Sequence, residues 1–259
     1  MSATPALACD AHIHINDAAS VGRYRDAQAA QGTSRVVIVT PRVHVTDNAV
    51  TLDAIAELGL ANARGVGVVR PQVTDAELRS MNAGGIRGIR FTVFQPVGQV
   101  VTIEMIEPLA KRIAPLGWHV QLHMRADQIV ENAALIGRLP CTIVFDHMGR
   151  IPHAEANRHP AFGVIRGLVD RGRTWVKLAG PYLDDPDGGP HFEAATALAR
   201  AWVAAAPQRL VWGSDWPHPL AKDPKPKGRE LIDLLEHWAP DAATRTKILV
   251  DNPAELYGF

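Results

Sequence analysis

The sequence predicts an α/β fold, a single (β/α)8 TIM barrel spanning residues 1–259. Three observations predict it. Eight short, β-rich apolar runs alternate with longer stretches of helical period, the pattern of parallel strands joined by crossover helices. No Gly-rich phosphate loop follows the first run, which weakens the alternative of an open doubly wound sheet. A length of 259 residues suits one barrel without an interdomain linker.

The predicted strands begin near Leu7 (LACDAHIHI), Arg35 (RVVIVT), Arg64 (RGVGVV), Ile86 (IRGIRFTVF), Trp118 (WHVQLHM), Cys141 (CTIVFDHMG), Thr174 (TWVKLAG) and Arg209 (RLVWGSDW). Helical periodicity marks IEMIEPLAKRIAPLG at 103–117 and FEAATALARAWVAAAP at 192–207. The closing RTKILVDNPAELYGF also reads as helical, with Pro253 at an early break, and KDPKPKG at 222–228 as a loop after strand eight.

Composition narrows the function. Twenty-seven basic residues balance twenty-seven acidic ones, so no field of one sign recruits nucleic acid or an anionic membrane. No apolar run approaches the ~18 residues of a membrane span, and MSATPALACD lacks the basic and apolar parts of a signal peptide. A cytoplasmic protein is expected, with Cys9 and Cys141 as reduced, buried thiols. Whether it is a monomer or a small homo-oligomer stays open.

The unusual residues sit at strand C-termini, where a barrel builds its active site. His12 and His14 close strand one, Arg90 is near the end of strand four, and His123 closes strand five. Asp146 and His147 close strand six, Lys177 is late in strand seven, and Asp215 closes strand eight inside GSDWPHP. Strand side chains alternate, so His12 and His14 share a face, with roughly 6.5–7 Å between their Cα atoms. Two such imidazoles can grip one metal ion. A lone buried histidine is more often a satisfied core residue than a ligand. Here, however, four of only eleven histidines fall at strand ends on one rim, which favours a site.

These motifs resemble the amidohydrolase superfamily, in its amidohydrolase 2 branch of pyrone-dicarboxylate and sugar-acid lactonases and decarboxylases. The resemblance rests on DAHIHI (10–15), GIRGIRF (85–91), GWHVQLH (117–123), FDHMGR (145–150), WGSDWPHP (212–219) and LVDNPAELY (249–257). It implies a hydrolase that opens a small carboxylated lactone by water attack at the barrel's C-terminal mouth. Asp215 is then the general base, and His147 polarises the carbonyl or orients the water. His12, His14, His123 and Asp215 become ligands of one divalent ion, zinc or manganese, although the lactonases with the nearest motif wording work without metal, so metal-independent catalysis stays open. Arg90 and Arg150 carry over as anchors for a substrate carboxylate. Two further family arginines do not: their positions fall near Pro96 and Tyr182. His218 and Tyr182 are pocket-lining candidates for binding substrate; Arg42, His44 and Arg125 are weaker ones. Asp146 is expected to orient His147 or a strand-end amide, Lys177 to stand behind the ligands, and His119, His153, His159, His191 and His237 to lie at the core edge or surface. A metal-dependent decarboxylase, a lactone isomerase and a non-catalytic small-molecule binder are the competing readings.

Overall fold

The computed structural model describes residues 3–95, 98–184 and 192–259. Eight strands, β1 (Cys9–Ile13), β2 (Arg35–Val39), β3 (Ala63–Gly67), β4 (Ile86–Thr92), β5 (His119–His123), β6 (Thr142–Phe145), β7 (Thr174–Ala179) and β8 (Leu210–Gly213), pair in sequence order, all in parallel. The barrel closes between β1 and β8. Ile13 bridges to Trp216, the His14 N–H donates to the Trp216 carbonyl at 2.8 Å, and the Asp215 N–H donates to the His12 carbonyl at 2.8 Å. The last two bonds belong to site residues, so closing the sheet also fixes the site.

Two apolar clusters follow from strand alternation. Valine-rich residues, among them Val37, Val66, Val144 and Val211, pack inside the barrel with Cys9, Ala11 and Trp175. Their strand neighbours, including Ile38, Phe145, Val176 and Trp212, pack outward into the large core beneath the helices. Both cysteines are free and buried.

Local signals start and stop the helices. In α1 (Ala18–Gln31) the Asp17 carboxylate caps the N-terminus by accepting from Ser20 N–H at 2.7 Å, and Gly32 at φ 75° ends it. Helix α2 is Ala49–Leu58, and a Thr74–Glu77 capping box opens α3 (Asp75–Ala83). The expected helix at 103–117 is shorter: α4 covers Ile106–Ile113, with a 3₁₀ turn on each side, and Gly117 stops it at φ 71°. Two short helices, α5 (Ala126–Glu131) and α6 (Ala133–Gly137), follow β5; α7 is Pro160–Val169 and α8 is Glu193–Ala205.

After β8 come α9 (Gly228–Trp238), α10 (Ala242–Thr246), a π-helical turn at Lys247–Asp251 and α11 (Asn252–Tyr257). Pro253 does not break this segment. It sits at the start of α11, directly after the π-helical turn, and the helical path runs on through it. Asn252 donates to the carbonyls of Pro207 and Leu210, clamping α11 to the base of β8. Tyr257 is thereby driven into the barrel floor, 5.5 Å from the His119 ring and 5.9 Å from Lys177 Nζ. His119 is a correction to the expectation of a core-edge or surface position. It points into the barrel at 1% exposure, because its β5 alternation matches that of Gln121 and His123. His153 is also buried, and His191 lies outside the described residues.

Candidate active site

Strict alternation from Asp10 would place Asp10, His12 and His14 on one face. The structure separates them. Between Asp10 and Ile13, β1 advances three residues while β2 advances two, from Val36 to Ile38, which is a β-bulge. Asp10 therefore turns outward, where its carboxylate accepts from Ser214 N–H (2.8 Å), Ser214 Oγ (2.5 Å), His12 N–H (3.3 Å) and Tyr24 OH (3.4 Å). It braces β1 against the turn that carries Asp215. Burial pushes its carboxyl up to about 6, against the opposing pull of those bonds.

His12 and His14 turn inward at the C-terminal mouth. His14 Nδ1 lies 2.8 Å from the Val39 carbonyl, an acceptor only, so Nδ1 carries the proton and Nε2 presents a lone pair. His12 Nδ1 lies 3.3 Å from Asp146 Oδ1 and 3.5 Å from Lys177 Nζ, and with its proton toward the carboxylate, Nε2 is bare. Both bare nitrogens face the same oxygen, Asp215 Oδ1, at 3.5 Å from His12 and 3.4 Å from His14. His12 Nε2 is buried with no hydrogen-bond partner. Three acceptors thus converge on one point. Burial, then the Lys177 charge, holds His12 well below its ordinary pKa, so a proton on that ring does not resolve the convergence. A cation does, and two imidazoles with one carboxylate are a donor set that suits zinc with positions left open.

Asp215 is held from the other side by Tyr182, whose hydroxyl donates to Oδ2 at 2.7 Å. Burial would raise the Asp215 carboxyl, but His147, His14 and His12 outweigh it and keep it below the usual carboxylate range. His147 lies between the His12 ring (4.8 Å) and the His123 ring (5.1 Å), with its Nδ1 unpartnered. Burial lowers its pKa despite the nearby Asp215 and Asp146. His218 packs edge-on against Tyr182 at 6.0 Å, and its N–H donates to the Asp215 carbonyl at 2.7 Å. His147, Arg150, Asp215 and His218 all have left-handed backbones, with φ between 47° and 60°. Each such residue costs about 1–3 kcal/mol, and conformations of this kind concentrate at functional sites.

Not all the expected ligands meet. Among the described residues, the donor atoms of His12, His14 and Asp215 lie within 4.8 Å of one another, and so do those of His12, Asp146 and His147. His123 belongs to neither group. Its Nδ1 is 3.3 Å from Arg90 Nη2 and its Nε2 is 3.0 Å from Arg150 Nη1. Both nitrogens of this ring face guanidinium groups, and neither faces Asp215.

Asp146 also differs from expectation. It serves His12 and Arg90 more directly than His147: Oδ1 meets His12 Nδ1, while Oδ2 accepts from Arg90 Nε at 2.8 Å and from Gln121 Nε2 at 3.1 Å. Lys177 is fully buried below this layer. It donates to the Ala11 carbonyl at 2.9 Å and lies 3.8 Å from Asp146 Oδ1. Arg150 Nε and Nη2 fork onto Asp184 at 2.6 and 2.7 Å, a partner with no signal in the motif pattern. Arg42 and His44 bond to the carbonyls of Gly98 and Asn16, and Arg125 pairs with Asp127. Arg42 lines a small cavity together with Arg90, whereas His44 and Arg125 lie on loops outside the cluster. The position near Pro96 falls outside the described residues.

Known proteins resemble this chain over nearly its whole length. A 4-sulfomuconolactone hydrolase from Rhizobium radiobacter is 33% identical, covering 99% of this chain and 91% of the relative. A 2-pyrone-4,6-dicarboxylate hydrolase from Comamonas testosteroni is 33% identical, covering 98% and 90%. An apo crystal structure from Agrobacterium tumefaciens superposes with a TM-score of 0.90 at 26% identity, covering 99% of this chain and 97% of that one. The family profile described as Amidohydrolase matches residues 9–259, from the first residue of β1 to the C-terminus. The chain belongs to the amidohydrolase family.

Proposed function

We propose that this protein opens a small carboxylated lactone by water attack, with Asp215 as the base. One observation carries the reading: Asp215 Oδ1 and the bare Nε2 atoms of His12 and His14 converge at the C-terminal mouth. The lactone and pyrone hydrolases at 33% identity support the substrate class. A divalent cation held by His12, His14 and Asp215 would lower the pKa of a bound water toward 7 and polarise the substrate carbonyl.

The residues divide the work as follows. Asp215, ionised and oriented by Tyr182, accepts the proton of the attacking water. The water oxygen bonds to the lactone carbonyl carbon, and the charge on the carbonyl oxygen grows next to His147. When the ring C–O bond breaks, the leaving oxygen takes the proton back from Asp215, and the product is a ring-opened acid. Arg90 keeps Nη1 without a partner among the described residues and sits at the edge of a small cavity with Thr40, Arg42, Thr92 and Val101, where a substrate carboxylate can be held. The position of both His123 ring nitrogens beside guanidinium groups, rather than beside Asp215, supports hydrolysis over decarboxylation.

Acid release from a panel of carboxylated lactones, followed in a pH-stat, tests the reading. Wild type is expected to release one proton per ring opened. Asp215→Asn keeps the shape but removes the basic oxygen, and its kcat should fall by about 10²–10⁴-fold. The as-purified protein should hold one divalent ion per chain. Metal content near zero with activity unaffected by chelation would remove the cation from the reading, and no acid release from any lactone would remove the function.

A further inference from the structure

Family resemblance makes both Arg90 and Arg150 carboxylate anchors, but the structure gives them different duties. Every nitrogen of Arg150 is committed. Nε and Nη2 are forked onto Asp184, Nη1 lies 3.0 Å from His123 Nε2, and the guanidinium face stacks on Phe94 with Cζ 3.9 Å from the ring centroid. The fork is short and poorly exposed, with Arg150 at 6% and Asp184 at 20% side-chain exposure. Asp184 offers the two-oxygen geometry that a substrate carboxylate would offer. A second carboxylate can reach Arg150 only by expelling it.

Charge balance points the same way. Among the described residues, Arg90 is already paired with Asp146, and Arg150 with Asp184. Each of these two guanidinium charges is thus already matched by a carboxylate of the protein. Of the two arginines, only Arg90 retains a guanidinium nitrogen, Nη1, that is uncommitted among the described residues. Its other side also favours an anion. Burial, then the Arg90 charge, keeps the His123 ring neutral, so it has one lone pair and one N–H. The closer guanidinium, Arg150 Nη1, takes the lone pair on Nε2. Nδ1–H and Arg90 Nη2 are then two donors 3.3 Å apart, and an anionic oxygen can satisfy both.

We propose that Asp184 is a specificity-determining residue: by occupying Arg150 with its own carboxylate, it sets the site for lactones that bear one carboxylate, held at Arg90, and against those that bear two. This rests on the lactone reading above and deepens it. A dicarboxylate, as named for the Comamonas relative, would be a poor substrate here.

The experiment compares kcat/KM for a monocarboxylated and a dicarboxylated lactone in wild type, Asp184→Asn and Asp184→Glu. Wild type is expected to favour the monocarboxylate. Asp184→Asn frees the Arg150 fork and should move the ratio toward the dicarboxylate by about 10–100-fold, the scale of a charge-assisted bond. Asp184→Glu restores a carboxylate and should return the ratio most of the way, which a merely structural role for Asp184 would not produce. Calorimetric titration with saturated mono- and dicarboxylate analogues reads the same preference without turnover. A wild-type preference for the dicarboxylate, or a ratio unmoved by Asp184→Asn in both measurements, overturns the assignment. If no lactone is opened while the analogues still show the Asp184-dependent preference, the hydrolase reading fails and the anion selectivity stands.

Discussion

Lys177 is a cation without solvent, and its neighbours explain why the barrel tolerates it. It spans the layer between the Tyr257 floor and the His12–Asp146 pair, so its charge meets a carbonyl, a carboxylate and an aromatic face. Burial still dominates and lowers its pKa from 10.5 to about 8. For a base, a lower pKa in the folded state means that the folded chain binds fewer protons than the unfolded chain between about 8 and 10.5. Stability from this residue therefore rises with pH across that window, since the cost of the buried charge is relieved as the proton leaves. The shift corresponds to about 3 kcal/mol. Denaturant unfolding of wild type and Lys177→Met at pH 8 and pH 10.5 should show wild type gaining on the variant by up to that amount. A gap that stays flat or narrows would mean that the ammonium is better solvated than its burial implies.

At the scale of the element, the β1–β8 seam depends on a missing side chain. A Cβ on Gly213 would lie 2.5 Å from His12 Cβ and 2.8 Å from His12 N, against backbone that the barrel closure holds in place. Gly213→Ala is expected to cost about 1–3 kcal/mol by overpacking and to displace His12, so thermal stability and turnover should fall together. Gly163 is the counter-case. It lies within α7 with nothing within 4 Å of its would-be Cβ. Gly163→Ala should stabilise by about 0.5–1 kcal/mol through helix propensity and leave turnover unchanged. Thermal melts of the two variants should move in opposite directions. Equal shifts would show that the seam has room to give.

The whole molecule is a barrel closed at its floor by its own C-terminus. Arg64 Nε donates to the Tyr257 carbonyl at 3.2 Å, and Arg35 and Arg64 stack on Phe259 at 5.1 and 4.9 Å. The Tyr257 ring fills the inner cluster, but its hydroxyl is buried without a partner. Its two parts should therefore separate in mutation. Tyr257→Ala removes the plug and is expected to cost about 3–5 kcal/mol. Tyr257→Phe keeps the ring and removes an unsatisfied polar group, so it should be neutral or stabilising. Equilibrium unfolding reads both. A loss above about 1 kcal/mol in the Phe variant would show that the hydroxyl has a partner, such as an ordered water.

Sequence alone determined the barrel and the rim on which the site lies. Eight apolar runs and their order are local signals, because strand period and helix period are written into short windows of chain. The expected starts all fall within two residues of the observed strands, and the strand-end positions of His12, His14, His147 and Asp215 followed from them. Tertiary structure decided what those residues face. The β1 bulge turned Asp10 away from His12, and nothing in CDAHIHIND marks it. Arg90 found Asp146 across 56 residues and Arg150 found Asp184 across 34, pairings that exist only because strands four, six and seven bring their ends to one rim. Those two pairs place His123 between guanidinium groups instead of beside His12 and Asp215. Hydrophobic periodicity is a property of neighbours in sequence. The partner of a buried charge is settled by the closure of the barrel, since Coulomb attraction and desolvation depend on distances that only the closed fold defines.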